Sequence, residues 1–252
     1  RRVYLEINKI YCVDCLELLK QIDDNSIDLI LTDPPFNVAN KNIITRKNTK
    51  NISADYEWDY MSEDEYIDFL TNLFLLLHKK LKRHGSLIFF YQKVTAIGVV
   101  LRYIKDYFYL KSEKIAWHKN NPAPQFRKMN YLSSIELLCW LVKDKSNFTF
   151  NFLYQKEMHN FIEMPICAGH ERTSHPNQKP IKLLNHFIRI HSNPGNLIFD
   201  PFLGSGTTAI SCIRSNRNYI GCEIDKGYFD IAEKRIANEL ALKEMELFNG
   251  NK

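Results

Sequence analysis

The sequence of 252 residues predicts an α/β fold, a mostly parallel twisted sheet with helices on both faces. Strand-like apolar runs alternate with segments of helical spacing at both ends of the chain. Two of the strands stop at loops of special backbone chemistry, Asp33-Pro34-Pro35-Phe36 and Gly204-Ser205-Gly206. The apolar fraction of 45% and charged fraction of 25% exclude a disordered or fibrous chain, and the length suffices to bury a substantial core. Residues 1–252 are read as a single domain.

Each element has its own warrant. Lys9-Ile10-Tyr11-Cys12-Val13 reads as a strand, followed by a short helix marked by Leu16, Leu18 and Leu19. Ser26-Ile27-Asp28-Leu29-Ile30-Leu31 is a buried strand that ends at the two prolines. Residues 37–60 are polar, rich in Asn and Lys and without period, which marks a long functional loop for substrate binding. Ser62 and Glu65 form a capping box. Tyr66, Phe69, Leu70, Leu73, Leu76 and Leu77 then keep helical spacing, and Gly85 is expected to close that helix. Ser86-Leu87-Ile88-Phe89-Phe90-Tyr91 is the next strand, with a helix over 95–105 and two strands over 109–117 and 135–142. Residues 183–190 are helical, and Pro194-Gly195 is a turn. Asn196-Leu197-Ile198-Phe199 is a strand leading into the glycine loop. A helix, the strand Tyr219-Ile220-Gly221-Cys222 and a long terminal helix complete the chain.

Charge and cysteine usage narrow the class. A net charge of +5 does not by itself indicate nucleic acid. Six cysteines include the pair Cys12 and Cys15, but neither a second pair nor a histidine cluster completes a zinc site. Scattered thiols suit a reducing, cytoplasmic setting. No run reaches the length of a membrane span, and no secretory h-region follows Arg1. The histidines His118, His159, His170, His175 and His191 show no ligand spacing, so no metal is expected.

The glycine loop points to a cofactor. Phe199-Asp200-Pro201-Phe202-Leu203-Gly204-Ser205-Gly206-Thr207-Thr208-Ala209 follows a strand and opens a helix, whose N-terminus favours an anionic group. Glu223 ends the next strand about 20 residues on, where an acid can hold a ribose diol. These features together specify a nucleoside-containing cofactor. The spacing Gly204-x-Gly206-x-x-Ala209 also matches the dinucleotide fingerprint formally, whereas a P-loop is excluded because no Gly-Lys-Ser/Thr follows.

The Asp33 loop suits a particular chemical problem. An exocyclic amino nitrogen on a base is a poor nucleophile, because its lone pair is delocalised into the ring. Two acceptors aimed at its hydrogens favour a pyramidal nitrogen and free the lone pair. Asp33 offers a carboxylate, Pro34 a carbonyl on stiff backbone extended by Pro35, and Phe36 a ring for a base taken out of its stack. Taken alone, Asp-Pro-Pro is more often a turn after a strand, with the Asp capping.

Read together, the Asp33–Phe36 loop, His175-Pro176-Asn177-Gln178-Lys179-Pro180, the glycine loop and Glu223 resemble, in this order, the β class of permuted amino-methyltransferases. The opening from Ile10 to Leu19 is also similar, with Val13 where the family usually has Gly. The resemblance implies a Rossmann-like methyltransferase fold with circularly permuted motif order. It implies S-adenosylmethionine as cofactor, direct methyl transfer to a flipped base in DNA, and a short target-recognition region over about 119–174. Asp33, Pro34, Pro35 and Phe36 would form the catalytic loop. Asp200, Phe202, Gly204, Gly206 and Thr207 would surround the methionine part of the cofactor, Phe199 and Ser205 would belong to the same cofactor site, and Lys179 would sit near the cofactor carboxylate. Glu223 would hold the ribose, Ile224 would pack on the adenine, Asp14 and Cys15 would contact its edge, and Asp33 would touch both cofactor and target. In the family, Asp at the first loop position goes mostly with adenine N6 and Ser with cytosine N4, so Asp33 favours adenine. Phe36 replaces the commoner Tyr. Relatives are often dimers, and the family includes both restriction-modification and orphan enzymes, so a second copy of the chain and a cognate restriction endonuclease are the candidate partners besides DNA.

Lys41, Arg46, Lys47 and Lys50 in the long loop, with Lys119, Arg127 and Lys128 in the second polar stretch, are the expected phosphate contacts. Three competing functions are weighed against this reading. Cytosine-N4 transfer is a variant of it. A nicotinamide-dependent oxidoreductase leaves the Asp33 and His175 motifs without a role, and a catalytically silent nucleic-acid-binding subunit leaves two intact loops unused. Cytosine C5 chemistry is excluded because no Pro-Cys dipeptide supplies a nucleophile.

Overall fold

The structure, a computed structural model, describes residues 5–37, 61–124 and 128–250. In chain order its elements are β1 (Lys9–Tyr11), α1 (Cys15–Leu19), β2 (Ile27–Thr32), α2 (Glu63–Lys80), β3 (Leu81–Tyr91), α3 (Val94–Tyr103), β4 (Tyr109–His118), β5 (Ile135–Val142), β6 (Phe161–Glu163), α4 (Ile181–His191), β7 (Leu197–Asp200), α5 (Thr207–Arg214), β8 (Asn218–Cys222) and α6 (Lys226–Gly250). The eight strands form one sheet in the order β1-β8-β7-β2-β3-β5-β4-β6. Only β5 runs antiparallel to both its neighbours, so the predicted mostly parallel α/β fold is what the chain adopts.

Alternation along the strands explains the two layers. On β3, Leu87, Phe89 and Tyr91 join the core beneath α1, α2 and α3. Ile88 and Phe90 point the other way, into the core beneath α4, α5 and α6. Strands buried on both faces read as continuous apolar runs, and β2 is buried from end to end.

The sheet reverses its winding between β7 and β2, which pair directly through Leu29↔Ile198 and Ile30↔Phe199. From β2 the chain proceeds outward to β3, and from β7 it proceeds the other way to β8. Crevices at such reversals, outside the strand carboxyl ends, are where doubly wound sheets bind ligands. The Asp33 and Gly204 loops leave these two adjacent strands at that end.

Two sequence expectations need correction. Gly85 does not close α2: the helix ends at Lys80, and backbone at Leu81 is already extended. Gly85 lies inside β3, where the register jumps from Ile27↔Leu81 to Leu29↔Ser86, so residues 82–85 bulge out of the ladder. The bulge brings Lys82 Nζ to within 2.9 Å and His84 Nε2 to within 2.8 Å of the buried Asp28 carboxylate, which also accepts the Leu197 N–H at 2.8 Å. The second correction is β6, which has no counterpart in the sequence reading because a three-residue strand is too short to show a period.

A Cβ at Gly85 would lie 2.8 Å from Leu81 Cδ2, 3.0 Å from the Lys82 carbonyl and 3.1 Å from the Asp28 carbonyl. Two of these neighbours are backbone and cannot step aside. Gly85→Ala is therefore expected to cost about 1–3 kcal/mol, read as a lower urea midpoint with an unchanged m-value; an unchanged midpoint would contradict the bulge geometry.

Candidate active site

The cleft forms where the two loops meet. Asp14, Cys15, Asp33, Pro34, Pro35, Phe36, Phe202, Gly204, Glu223 and Ile224 line it, joined by Met61, Phe69, His175, Asn177 and Tyr228. A smaller adjoining hollow is lined by Lys179, Asp200, Ser205 and Thr207. Phe199, also expected beside the cofactor, is fully buried in the core below.

Asp200 holds the floor together. Its carboxylate accepts from Thr32 Oγ1 at 2.9 Å, from the Phe202 N–H at 3.1 Å and from Thr208 Oγ1 at 2.5 Å. Three bonds thus tie the end of β2, the glycine loop and the first turn of α5. Burial raises the Asp200 carboxyl to about 6, against the lowering effect of those donors. The acid expected to face the cofactor lines the hollow and also holds together the architecture around it.

The glycine loop is shaped from outside. Gly204 has φ +55° and Gly206 φ +83°, the left-handed region that favours glycine. A Cβ on Gly204 would lie 2.9 Å from His175 Nε2, so the His175 ring packs on bare backbone. Tyr228 of α6 supports that ring edge-on at 4.4 Å between centroids. Arg235 reaches across from α6 to the Ser205 carbonyl, to Ser205 Oγ at 3.0 Å and to Thr207 Oγ1 at 3.3 Å. Glu223 Oε2 accepts the Gly204 N–H at 2.9 Å and Oε1 the Asp225 N–H at 2.9 Å, yet each oxygen keeps a lone pair for a further donor. Ile224 is 59% exposed at the cleft mouth, an apolar face open to a flat ring. Asp14 caps α1 by accepting from the Leu16 and Glu17 N–H groups through Oδ1. Burial pushes the Cys15 thiol up to about 12, which suits a packing surface and not a redox dithiol.

Asp33 has the most unusual surroundings. Its Oδ2 is paired with Lys179, while Oδ1 is buried beside the cleft and, among the described residues, has no hydrogen-bond partner. Burial raises its carboxyl to about 6; the Lys179 charge opposes that rise, and the Glu136 and Asp200 charges add to it. Lys179 is itself buried, 4.8 Å above the Phe90 ring and 5.4 Å from that of Phe36. Its ammonium pairs with Asp33 and Glu136, and the residue borders the hollow beside the cleft. Phe36 is 6% exposed, one edge lining the cleft and the rest in the core. The His175 imidazole is held neutral: burial, then the Lys179 charge, lowers it to about 4.

The expected phosphate contacts fare differently. Lys119 is corrected: its side chain is 12% exposed and paired with Glu136 at 2.7 Å, because antiparallel pairing of β4 and β5 sets Trp117 opposite Glu136. Lys128 is exposed. Lys41, Arg46, Lys47, Lys50 and Arg127 lie outside the described residues, as does the 37–60 loop beyond Asn37. Asn37 itself clamps that segment's far end, its side chain accepting from the Met61 N–H at 2.8 Å and donating to the Met61 carbonyl at 2.9 Å. Glu136, Tyr228 and Arg235 were not found from sequence; each sits on an ordinary strand or helix pattern and meets the site only through the fold. Among the described residues no group of three His, Cys, Asp or Glu side chains is placed to hold a metal, and no helix is long and apolar enough to cross a membrane.

Comparison with known proteins bears on this site. Residues 27–234 match the N6/N4 family described as DNA methylase. The Type II methyltransferase M.HinfI of Haemophilus influenzae is 33% identical over an alignment covering 96% of this chain and 73% of the relative. The Type II methyltransferase M2.MboI of Moraxella bovis is 28% identical, covering 90% and 86%. The crystal structure of the M1.HpyAVI–SAM complex superposes with a TM-score of 0.69 at 29% identity, over 90% of this chain and 98% of that one. The cytosine-N4-specific PvuII DNA methyltransferase, at 21% identity, shares the fold with a TM-score of 0.72 over 94% and 93%.

Asp200 generates a test of the floor. A carboxyl raised in the folded state stabilises the fold below its unfolded value and loses that contribution as pH rises through the folded one. Between pH 4 and 6 stability is expected to fall, by about 3 kcal/mol for a two-unit rise. Asp200→Asn, which keeps the shape and an acceptor, is expected to flatten that part of the stability–pH curve; a curve as steep as the parent's rules the buried carboxyl out as its source.

Proposed function

The chain belongs to the N6/N4 DNA methylase family, and on that footing we propose that it transfers a methyl group from S-adenosylmethionine to N6 of adenine in DNA, with Asp33 and the Pro34 carbonyl as the acceptors that activate the amino group. One observation carries the reading: a carboxylate with one oxygen fixed by Lys179 and the other buried beside the cleft with no hydrogen-bond partner among the described residues. An unpaired buried acceptor is costly unless a ligand donor meets it, and an amino group supplies that donor.

The residues present fit S-adenosylmethionine. The loop backbone at Gly204, the Glu223 carboxylate and the apolar Ile224 face, all lining the cleft, offer what a nucleoside with a charged tail needs, whereas the bare side of Gly206 packs on Ala232 of α6. Cys15 and Asp14 border the same cleft. The bound cofactor supplies an electrophilic methyl on a sulfonium. Everything else is done by the chain. Asp33 and the Pro34 carbonyl draw on the two amino hydrogens and localise the lone pair for attack. Phe36 offers an edge to the extruded base. Pro34 and Pro35 keep the loop stiff, so the acceptors need little reorganisation during transfer. After transfer the nitrogen carries an extra proton, which Asp33, held near 6 by burial, is suited to take up and release to water.

Adenine is favoured over cytosine because Asp, not Ser, opens the loop. Phosphate contacts are assigned to Lys128 and to the loop cations Lys41, Arg46, Lys47, Lys50 and Arg127, with target reading in the 119–174 region. The relatives' description as Type II methyltransferases supports pairing with a cognate restriction endonuclease. A homodimer rests on the family resemblance alone, and a cytoplasmic setting on the six free cysteines.

Methyl transfer from labelled cofactor to mixed-sequence duplex DNA, followed by nucleoside analysis, tests the reading. Label is expected in N6-methyladenine, and label in N4-methylcytosine overturns the base assignment. Asp33→Ala is expected to lose at least about 10³-fold in kcat, or roughly 4 kcal/mol, while still unfolding in one cooperative transition. Glu223→Ala should raise the cofactor Kd about tenfold or more, or ~1.4 kcal/mol, and change kcat little at saturating cofactor.

A further inference from the structure

Asp33 is the end of a buried row of four alternating charges. Lys119 Nζ stands 2.7 Å from Glu136 Oε1. Glu136 Oε2 stands 3.1 Å from Lys179 Nζ, a charge contact rather than an aligned hydrogen bond. Lys179 then pairs with Asp33 Oδ2. Side-chain exposures along the row are 12%, 10%, 6% and 22%. Two carboxylates and two ammonium groups sum to zero, which is the condition for keeping such a row out of water.

We propose that Glu136 is a positioning residue for the transfer reaction: from the far side it holds Lys179 on Asp33 Oδ2 alone, and so leaves Asp33 Oδ1 as the acceptor for the target amino group. The inference rests on the proposed DNA methylation. Lys179 donates three hydrogens and sits against two aromatic faces, Phe90 and Phe36, which contribute no lone pair of the carboxylate kind. Without a second anion, the ammonium has no reason to stay on one Asp33 oxygen; bridging both would occupy the acceptor that the reaction needs. Glu136 supplies the second anion, and Lys119 keeps Glu136 ionised and fixed. The hairpin of β4 and β5 makes this possible, because Trp117↔Glu136 pairing leaves Lys119 two residues beyond, on the same side of the strand.

The groups facing Asp33 are Lys179, Glu136 and Asp200; those facing Lys179 are Asp33, Glu136 and, at longer range, the neutral His175. Activity that needs ionised Asp33 is lost as pH falls, so the acid limb of the rate profile reports Asp33. Removing the Glu136 charge takes a negative neighbour from the row and lets Asp33 ionise more readily. Removing the Lys119 charge has the opposite sign, because it leaves Glu136 uncompensated.

The test compares Glu136→Gln and Lys119→Met with the parent full-length enzyme, measuring kcat for duplex DNA methylation from pH 5 to 9, cofactor Kd by titration calorimetry, and the unfolding midpoint. Glu136→Gln is expected to lower kcat at pH 8 about 10- to 100-fold, to move the acid limb to lower pH, and to leave the cofactor Kd within about threefold. Lys119→Met is expected to move the acid limb to higher pH. Opposed shifts support the positioning role, since a loss of packing alone lowers kcat without moving the limb in opposite directions. Shifts of the same sign, or none in either variant, overturn it. Should Glu136→Gln not fold, the Lys119→Met profile alone decides, and an unshifted limb there counts against the proposal. A parent enzyme that methylates no DNA overturns the proposed function itself, which separates the two failures.

Discussion

The carboxylate of Asp200 is the point on which the molecule's working end depends. Strands β2 and β7 are adjacent in the sheet but 168 residues apart at the Thr32–Asp200 hydrogen bond. Backbone pairing there covers two residue pairs, Leu29↔Ile198 and Ile30↔Phe199, and stops short of both loops. Beyond that, the Asp200 side chain takes over as the link, receiving Thr32 from one strand, the Phe202 N–H from the glycine loop and Thr208 from α5. A buried carboxylate with three donors is firmly held, and losing a donor leaves an uncompensated charge in the floor. The relative position of Asp33 and Gly204 follows from that knot.

A second constraint runs at right angles to the first. The row Lys119–Glu136–Lys179–Asp33 joins the β4–β5 hairpin to the loop after β2, across β3. Isolated, any one of these charges at such burial would neutralise by shifting its proton equilibrium. Together they stay ionised: Glu136 is pulled below the usual carboxylate range by Lys179 and Lys119 despite its burial, and Lys179 is raised by Asp33 and Glu136. The outcome is a site whose electrostatics are set by tertiary contacts from the ends of three strands and from Lys179, two residues before α4. Arg235 and Tyr228 play the equivalent structural part on the cofactor side, buttressing the glycine loop from α6.

Much of the fold was legible because its signals are local. The capping box of Ser62 and Glu65 forms as read, with the Glu65 carboxylate accepting the Ser62 N–H at 2.8 Å. Strand runs such as 135–142 and 86–91 are recovered because burial leaves mostly apolar residues along them, Glu136 and Ser86 being the polar ones. Gly85 was misread because glycine after a helix usually ends it; here it relieves crowding against the Asp28 backbone, a neighbour 57 residues away. Lys119 was misread for a similar reason. A lysine in a polar, basic stretch looks like solvated surface, and only the cross-strand partner Glu136 reveals it as buried.

The sequence by itself determined the order of elements, the two loops that end strands, and through the joint presence of Asp33–Phe36, His175–Pro180, the glycine loop and Glu223 the kind of chemistry. These are properties of short segments, where residue type and spacing fix backbone geometry and available groups. Tertiary structure alone decided what each group is bonded to. It placed β2 beside β7, tied Asp200 into the floor of the site, turned Lys179 and Lys119 inward, and left Asp33 with one oxygen held and one without a partner among the described residues. The physical reason is that hydrogen bonds and buried ion pairs act over a few ångströms in space, and the partners here are separated by tens to well over a hundred residues along the chain.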